Sequence, residues 1–334
     1  MTHSSLRFAL TGLLLSLSVA AQASSFSNLV IFGDSLSDAG NNALLLGSNG
    51  LAPTTDQEFS KTPYFSGRYS NGPVWSEYFA SKMGLSAQAS LLGGDNYAFG
   101  GAQTGVDGVD GPGGFPFSLK SQLNMFLGSG KTVSGSELFI ISGGGNNVRA
   151  TLDAIKANPA NAASIINDTA AAYALDIGNM VDALQARGAQ HILVMNTPNF
   201  GLAPDALSSG PQASATASFA SATMDAALAA RLNGEAGVQT FDFYGFLTHT
   251  VSSASSLGLT NVTNACGRTD NICDPATSLF WDSIHPTTVG HQLLADAVFA
   301  QVVPEPSTYG LMALGLLGLG LVRRKQLSGG LSKT

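Results

Sequence analysis

The 334 residues carry few charges (11%) and a formal net charge of −7, and no run of Lys or Arg precedes residue 323. This balance argues against a nucleic-acid partner, because phosphate contacts need a basic surface. The length would allow two domains, but α/β folds of this size often form a single one.

The first 23 residues are predicted to be a secretory signal peptide. Arg7 lies near the start, an apolar stretch runs from Phe8 to Ala20, and the small-residue sequence "AQA" follows at 21–23. A first transmembrane helix is the alternative, but the stretch is too short and too rich in Ser to span a bilayer comfortably. We therefore expect signal peptidase to release an exported protein.

The apolar run "NLVIF" at 28–32 predicts a short buried strand, which Gly33 ends. Directly behind it, Ser35 and Asp38 have the spacing of a capping box, so Ser35 is a candidate helix start. The same serine is a candidate nucleophile. These residues alone leave both interpretations open.

The remaining pattern alternates strands with helical segments. Strands are predicted at 96–102, 137–142, 191–198 and within 238–247, and helices at 72–84, 118–127, 168–186, 213–232 and 285–301. Pro286 is expected in the first turn of the last helix. The alternation predicts an α/β fold with a parallel sheet covered on both faces. Gly33, Gly100 and Gly143 follow strands and should meet at the sheet edge where ligands bind.

Two cysteines, Cys266 and Cys273, lie in one polar stretch, "NACGRTDNICDP". In an exported protein this pair predicts a local disulfide. A metal site is disfavoured, because two cysteines without a nearby histidine supply too few ligands.

The stretch "LFWDSIHPTTVGH" at 279–291 contains an Asp and a His three residues apart. Asp282 can orient the ring of His285 and stabilise its charged form, as the general base of a nucleophile requires. A helix-start Asp beside a surface His is the alternative. His191 and His249 have no acidic neighbour in sequence, and His291, further along the helix, is expected to be exposed.

The C-terminal stretch "VPEPSTYGLMALGLLGLGLVRRKQ" at 303–326 resembles the PEP-CTERM sorting tail of Gram-negative bacteria. Its apolar segment, 309–322, would be about 21 Å long as a helix, shorter than a hydrocarbon core of about 30 Å. The resemblance implies an exosortase that removes residues 304–334 after a transient membrane contact. A weak permanent anchor is the alternative, and both place the body at 24–303 outside the cytoplasm.

Five ordered blocks resemble the GDSL (SGNH) hydrolase family, and in particular its bacterial lecithinase/haemolysin-type branch of esterases and lipases. The blocks are "FGDSLSDAGNN", "YFSGRYSNGPVWSEYFA", "NYAFGGA", "GGGNN" and "FWDSIHPT". The resemblance covers nearly all of 28–300. It implies a three-layer α/β/α, flavodoxin-like fold with a central parallel sheet.

Carried over residue by residue, the resemblance places the nucleophile at Ser35, the acid at Asp282 and the base at His285. The oxyanion hole falls on the backbone N–H of Ser35, the backbone N–H of Gly101, in preference to that of Gly100, and the side-chain amide of Asn146. This chain departs from the family at Asn147, where Asp is usual.

The resemblance implies an exported serine hydrolase that cleaves carboxylic (acyl) esters through an acyl-enzyme, with no metal or cofactor. The sequence leaves the acyl length and the alcohol open, so the ester is lipid or another acyl ester. The periplasm, the cell surface and the extracellular matrix are the expected locations. The alternative is a catalytically silent surface or matrix module that uses the same fold for binding.

Overall fold

Four parallel strands form the centre of the computed structural model, which describes residues 26–46, 64–110, 113–267 and 273–303. In sheet order they are β1 (Leu29–Gly33), β2 (Leu138–Ser142), β3 (His191–Met195) and β4 (Val238–Phe241). Every pair is parallel and in simple register, with Val30 opposite Phe139 and Phe139 opposite Ile192. The predicted α/β fold with a parallel sheet is confirmed.

A fifth, extended segment lies beside β1 in place of the strand expected at 96–102. Backbone N–H groups of Tyr97 and Phe99 donate to the carbonyls of Ile31 and Gly33, at 2.7 and 3.2 Å. Regular pairing is confined to one bridging residue, Asn96. The side-chain amide of Asn41 binds the carbonyls of Asn96 and Ala98, so a side chain satisfies the outer edge of this segment.

Both faces of the sheet are buried. One face presents Val30, Phe139 and Ile192 to a cluster that includes side chains from the surrounding helices. The alternate residues Ile31 and Ile140 are equally inaccessible to solvent on the other face. Because side chains alternate along a strand, these continuous apolar runs are those of a sheet covered on both sides.

Helices fill the connections between the strands. The α-helices are α1 (Asn41–Leu46), α2 (Trp75–Met83), α3 (Leu119–Gly128), α4 (Gly145–Ala157), α5 (Ala162–Gln185), α6 (Pro204–Ser208), α7 (Pro211–Arg231), α8 (Phe243–Ser252) and α9 (Thr288–Val302). Short 3-10 turns lie at Ser90–Leu92, Pro159–Asn161, Phe200–Leu202, Ala254–Leu257 and Pro275–Thr277.

The last helix begins later than expected, so Pro286 is not in its first turn. Thr287 caps α9, since its Oγ1 accepts the N–H of Gly290 at 3.2 Å. The preceding residues form a tight loop instead, in which Trp281 donates its N–H to the carbonyl of His285. This loop carries two of the predicted site residues.

Residues Phe26–Phe299 form one compact unit. Within the described ranges, no helix combines the length and the apolar character needed to cross a bilayer. The predicted signal peptide at 1–23 and the predicted tail at 304–334 lie outside the described residues.

Candidate active site

Ser35 lies in a single helical turn at the carboxyl end of β1. The N–H groups of Ser37 and Asp38 both donate to the carbonyl of Asp34, at 3.0 Å. The capping-box interpretation required a helix that begins at Ser35, but the first helix after β1 begins at Asn41. Asp38 caps α1 instead, because its carboxylate accepts the N–H groups of residues 40–42 at 2.6–3.2 Å.

The structure brings Ser35, His285 and Asp282 into one hydrogen-bonded chain. The hydroxyl of Ser35 lies 2.7 Å from His285 Nε2, and Asp282 Oδ2 lies 2.6 Å from His285 Nδ1. All three side chains are buried. With Nδ1–H donated to the carboxylate, Nε2 is left to accept the serine proton.

Four hydrogen bonds hold the carboxylate of Asp282. Oδ1 accepts the backbone N–H groups of Ile284 and His285, and Oδ2 accepts the hydroxyl of Tyr64 at 2.6 Å in addition to His285. Burial acts to raise the pKa of Asp282, but the charge of protonated His285 and these donors hold the pKa below its ordinary value. The group is therefore an anion with a fixed orientation.

Residues 64–72 contact the loop that carries Asp282 and His285 and hold it in place. The ring of Tyr69 lies 5.1 Å from the ring of His285. Ser70 donates its hydroxyl to the carbonyl of Pro286, and Asn71 accepts the N–H of Thr288, at 2.9 and 2.8 Å. These roles carry no local sequence signal, because the residues in contact are more than two hundred positions apart.

A small cavity in front of Ser35 is lined by the predicted oxyanion residues Gly101 and Asn146, together with Tyr69, Arg149, Ile284 and His285. The N–H of Gly100 is already bound to Asp38 Oδ2 at 3.0 Å. A Cβ at Gly100 would lie 2.3 Å from the ring of Tyr69, and Gly101 has φ +85°. The pair therefore needs glycine, and the geometry favours Gly101 over Gly100 as the donor.

Asn146 and Asn147 fix the loop that follows Gly101. One amide hydrogen of Asn146 is donated to the carbonyl of Ala102 at 3.0 Å. Asn147 is buried, and its amide accepts the N–H of Thr104 and donates to the Thr104 hydroxyl. At this position, where the family usually has Asp, the neutral amide of Asn147 both accepts a hydrogen bond from Thr104 and donates one to it.

Gln122 is a supporting residue that sequence reasoning missed. From α3 its amide accepts the N–H of Gly33 and donates to the carbonyl of Gly33, both at 2.8 Å. It therefore occupies the backbone groups at the end of β1, two residues before Ser35. Glutamine in an amphipathic helix carries no sequence signal for such a contact.

Burial raises the pKa of Asp34 and Asp38 to about 6, although backbone N–H groups bound to each carboxylate oppose the shift. Asp34 also feels the positive charge of protonated His285, which lowers its pKa in part. Neither carboxylate is part of the hydrogen-bonded chain of Ser35, His285 and Asp282.

The disulfide predicted between Cys266 and Cys273 is confirmed, with their Cα atoms 5.6 Å apart. The N–H groups of Cys266 and Gly267 donate to the carbonyls of Phe280 and Trp281. The disulfide loop is therefore bound to the chain just ahead of Asp282.

His291 is fully buried, so the expectation that it is exposed was wrong. Its side chain faces the interior, where the first turn of α9 lies close to the site loop: a Cβ at Gly290 would be 2.8 Å from Pro286. Burial lowers the pKa of His291 to about 3, and the charge of protonated His285 acts in the same direction. His291 is consequently a neutral side chain.

Across the ranges that the structure describes, no group of three or more His, Cys, Asp or Glu side chains is arranged to hold a metal ion. Asp282 and His285 are instead satisfied by each other and by Tyr64 and Ser35.

The sequence profile of the GDSL-like lipase/acylhydrolase family matches residues 29–298, most of the chain. This chain belongs to the GDSL-like lipase/acylhydrolase family. A second profile, that of the PEP-CTERM protein-sorting motif, matches residues 302–325. That motif indicates a protein exported to the cell envelope of a Gram-negative bacterium.

Curated relatives of this GDSL protein include esterase EstA of Pseudomonas aeruginosa, which is 32% identical over 86% of the chain and 49% of its own length. Lipase 1 of Photorhabdus luminescens is 30% identical over 58% of the chain and 25% of its own length. An Arabidopsis thaliana protein named GDSL esterase/lipase EXL2 is 23% identical over 82% of the chain and 88% of its own length. The chain spans about half the length of EstA and a quarter of Lipase 1.

Among solved structures, phospholipase A1 from Streptomyces albidoflavus aligns with a TM-score of 0.44 and 15% identity. That alignment covers 83% of this chain and 99% of the other.

Proposed function

We propose that this protein is an exported serine esterase that hydrolyses carboxylic (acyl) esters through an acyl-enzyme. The observation that carries the proposal is the buried chain from Ser35 Oγ through His285 to Asp282, with hydrogen bonds of 2.7 and 2.6 Å. Serine is a weak nucleophile at its ordinary pKa, and an oriented imidazole at this distance is the base that it needs. Membership of a lipase/acylhydrolase family supports the same chemistry.

In the proposed first step, Ser35 Oγ attacks the ester carbonyl carbon while His285 Nε2 takes the serine proton. The carbonyl oxygen becomes an oxyanion, held by the backbone N–H groups of Ser35 and Gly101 and by the second amide hydrogen of Asn146. Asp282, kept ionised by its donors, stabilises the imidazolium that forms.

In the steps that follow, His285 returns the proton to the alcohol oxygen, the C–O bond breaks and the acyl group stays on Ser35. Water then attacks the acyl-enzyme and gives a proton to His285, the bond from Ser35 Oγ to the acyl carbon breaks, and His285 returns the proton to Ser35 Oγ as the carboxylic acid leaves. His285 transfers every proton in this cycle and the oxyanion donors stabilise the negative charge, so the cycle needs no metal or cofactor.

A fluorophosphonate probe tests the proposal. The wild type should label covalently and should hydrolyse p-nitrophenyl esters, and Ser35→Ala should do neither. His285→Ala should be nearly as inactive as Ser35→Ala, and Asp282→Asn somewhat less so. Asn146→Ala should lose roughly 10²–10³ in kcat with little change in KM, since it removes one oxyanion donor.

Ser255→Ala is the matched control, because Ser255 is an exposed serine. It should label and turn over like the wild type. The second candidate function, a silent binding module, predicts that the folded wild type does not label at all. The intact Ser35–His285–Asp282 chain favours the enzyme over that module.

We also propose that both termini are processed. Signal peptidase would cut after residue 23 and an exosortase near residue 304, leaving the body at 24–303 in the periplasm, at the cell surface or in the matrix. The match to the sorting motif supports removal of the tail. Intact mass of the protein from a host with an exosortase should end near Pro304. A mass that reads through to Thr334 would instead favour a retained anchor.

A further inference from the structure

An apolar cavity lies behind the serine–histidine pair, walled entirely by apolar residue types. Its lining includes Leu36, Phe200, Phe243, Phe246, Leu279 and Ile284. It is bounded by the turn after β1, the segment that follows β3, helix α8 and the loop ahead of α9. The cavity volume is about 40 Å³.

The position of this apolar cavity links it to the reacting atoms. Leu36 follows Ser35 in the chain, and Ile284 and Pro286 flank His285. Ile284 also lines the small cavity that contains Ser35, Gly101 and Asn146. The two cavities are therefore adjacent, and Ile284 forms part of the wall of each.

An acyl group bonded to Ser35 Oγ has limited directions for its chain. Its carbonyl oxygen must face Gly101 and Asn146, and Tyr69 and Arg149 line other parts of the small cavity. The wall formed by Ile284 is apolar, with apolar space behind it. We propose that this apolar cavity receives the acyl chain of the substrate, an inference that rests on the proposed esterase function.

The size of the apolar cavity sets the chain length. One water needs about 10–15 Å³ measured in the same way, so 40 Å³ holds roughly three or four non-hydrogen atoms. The substrate class is therefore an ester of a short acyl group, from acetyl to butyryl. The side chains of Phe243, Leu279 and Phe280 around it are buried and leave little room for a longer chain.

A series of p-nitrophenyl esters with acyl chains of two to eight carbons tests this inference. For the wild type we expect kcat/KM to rise about threefold to fourfold per methylene up to butyrate, as each methylene leaves water. It should then fall at least about tenfold by octanoate, because the cavity is full.

Phe246→Ala should move the optimum to hexanoate or octanoate. The Phe246 ring packs on the rings of Phe241 and Phe243 at 6.0 and 6.1 Å, so its removal enlarges the cavity. Ile284→Ala is the second variant and should shift the optimum in the same direction by thinning the wall. Phe219→Ala, a phenylalanine 61% exposed on α7, is the matched control and should keep the wild-type profile.

An optimum at octanoate in the wild type, or the same chain-length profile in folded Phe246→Ala and Ile284→Ala as in the wild type, would overturn the inference alone. A folded wild type that hydrolyses no ester in the series would overturn the proposed function, and this inference with it.

Discussion

Tyr64 donates its hydroxyl to the same oxygen of Asp282 that His285 binds, at 2.6 Å. Its ring lies 5.6 Å from the ring of Tyr69, which in turn packs against His285. Tyr64 therefore acts on the base through the carboxylate and through an aromatic neighbour. It is a positioning residue, because it acts on the reacting atoms through Asp282 and Tyr69.

Tyr64→Phe should lower kcat/KM by about 3- to 30-fold, in line with the loss of one hydrogen bond to a buried charge. Without that bond, the negative charge on Oδ2 of Asp282 is less stabilised, and it favours the imidazolium form of His285 more strongly. Because the reaction needs the neutral ring, the acid limb of the kcat/KM profile should move to higher pH. A pH–rate profile from pH 4 to 9 measures both effects.

Tyr78→Phe is the matched control for this position. Tyr78 also joins its hydroxyl to the chain near α9, at Thr288 Oγ1 and 2.7 Å, but it does not touch Asp282. It should leave the acid limb in place. If the acid limb does not move in Tyr64→Phe, or if it moves equally in both variants, then Tyr64 has only a structural role.

Helix α3 supports the site through one amide, that of Gln122. Both backbone groups of Gly33 are buried at the end of β1, and Gln122 satisfies each of them at 2.8 Å. A parallel strand would ordinarily supply these partners. The sheet therefore ends at this point without an unpaired donor or acceptor close to Ser35.

Gln122→Leu should lower the free energy of unfolding by about 1–3 kcal/mol, because it leaves the buried N–H of Gly33 without a partner, while the carbonyl of Gly33 keeps the N–H of Phe99. Urea unfolding at neutral pH measures the change. Gln212→Leu, at an exposed glutamine in the first turn of α7, should stay within about 0.5 kcal/mol of the wild type. Equal stabilities of the two variants would contradict this role for Gln122.

Apolar runs were enough to predict β1, β2 and β3, because strands buried on both faces read as continuous hydrophobic sequence. Helix α8 was not predicted. Residues 238–247 mix apolar and polar side chains, and the strand predicted within them ends at Phe241. Asp242 caps the new helix through the N–H of Gly245, and Asn196 binds the N–H of Phe243 at 2.6 Å. The second contact is tertiary, so no local pattern could have located the switch.

The candidate site likewise has residues that the sequence predicts and residues that it does not. Ser35, Asp282, His285 and Asn146 stand inside short motifs, where spacing and resemblance identify them. Their supporting residues come from elsewhere in the chain: Tyr64 lies 218 positions from Asp282, and Gln122 lies 89 positions from Gly33. His291 stands six residues after His285 and was misplaced on the surface, because polarity alone does not reveal which side of a helix faces the interior.

At the scale of the whole molecule, titratable groups in the interior change the stability of the fold with pH in opposite directions. Burial raises the pKa of Asp34 and Asp38 to about 6 and that of Asp225 to about 7. The folded state therefore binds their protons more tightly than the unfolded state, and the stability they contribute is lost as pH rises from about 4 to about 6 or 7. Burial lowers the pKa of His291 to about 3, so its contribution is lost as pH falls below about 6.5.

Asp225 on α7 offers the cleanest test of this balance, because it lies outside the proposed active site. Its carboxylate accepts the N–H of Thr197 at 2.8 Å, an interaction that an asparagine can keep. Burial raises the pKa of Asp225 to about 7, and the nearby charge of Asp242 adds to the rise. Asp225→Asn is neutral at every pH and should remove this part of the pH dependence.

Urea unfolding at pH 5, 6, 7 and 8 compares the two proteins. From pH 5 to pH 8 the wild type should lose at most about 2–3 kcal/mol relative to Asp225→Asn, since the fold must hold an anion that the unfolded chain exposes to water. Asp153→Asn, at an exposed aspartate of α4, is the control and should run parallel to the wild type. If the curves of Asp225→Asn and the wild type are parallel as well, Asp225 is ionised in the folded protein throughout this range, and its burial does not govern stability.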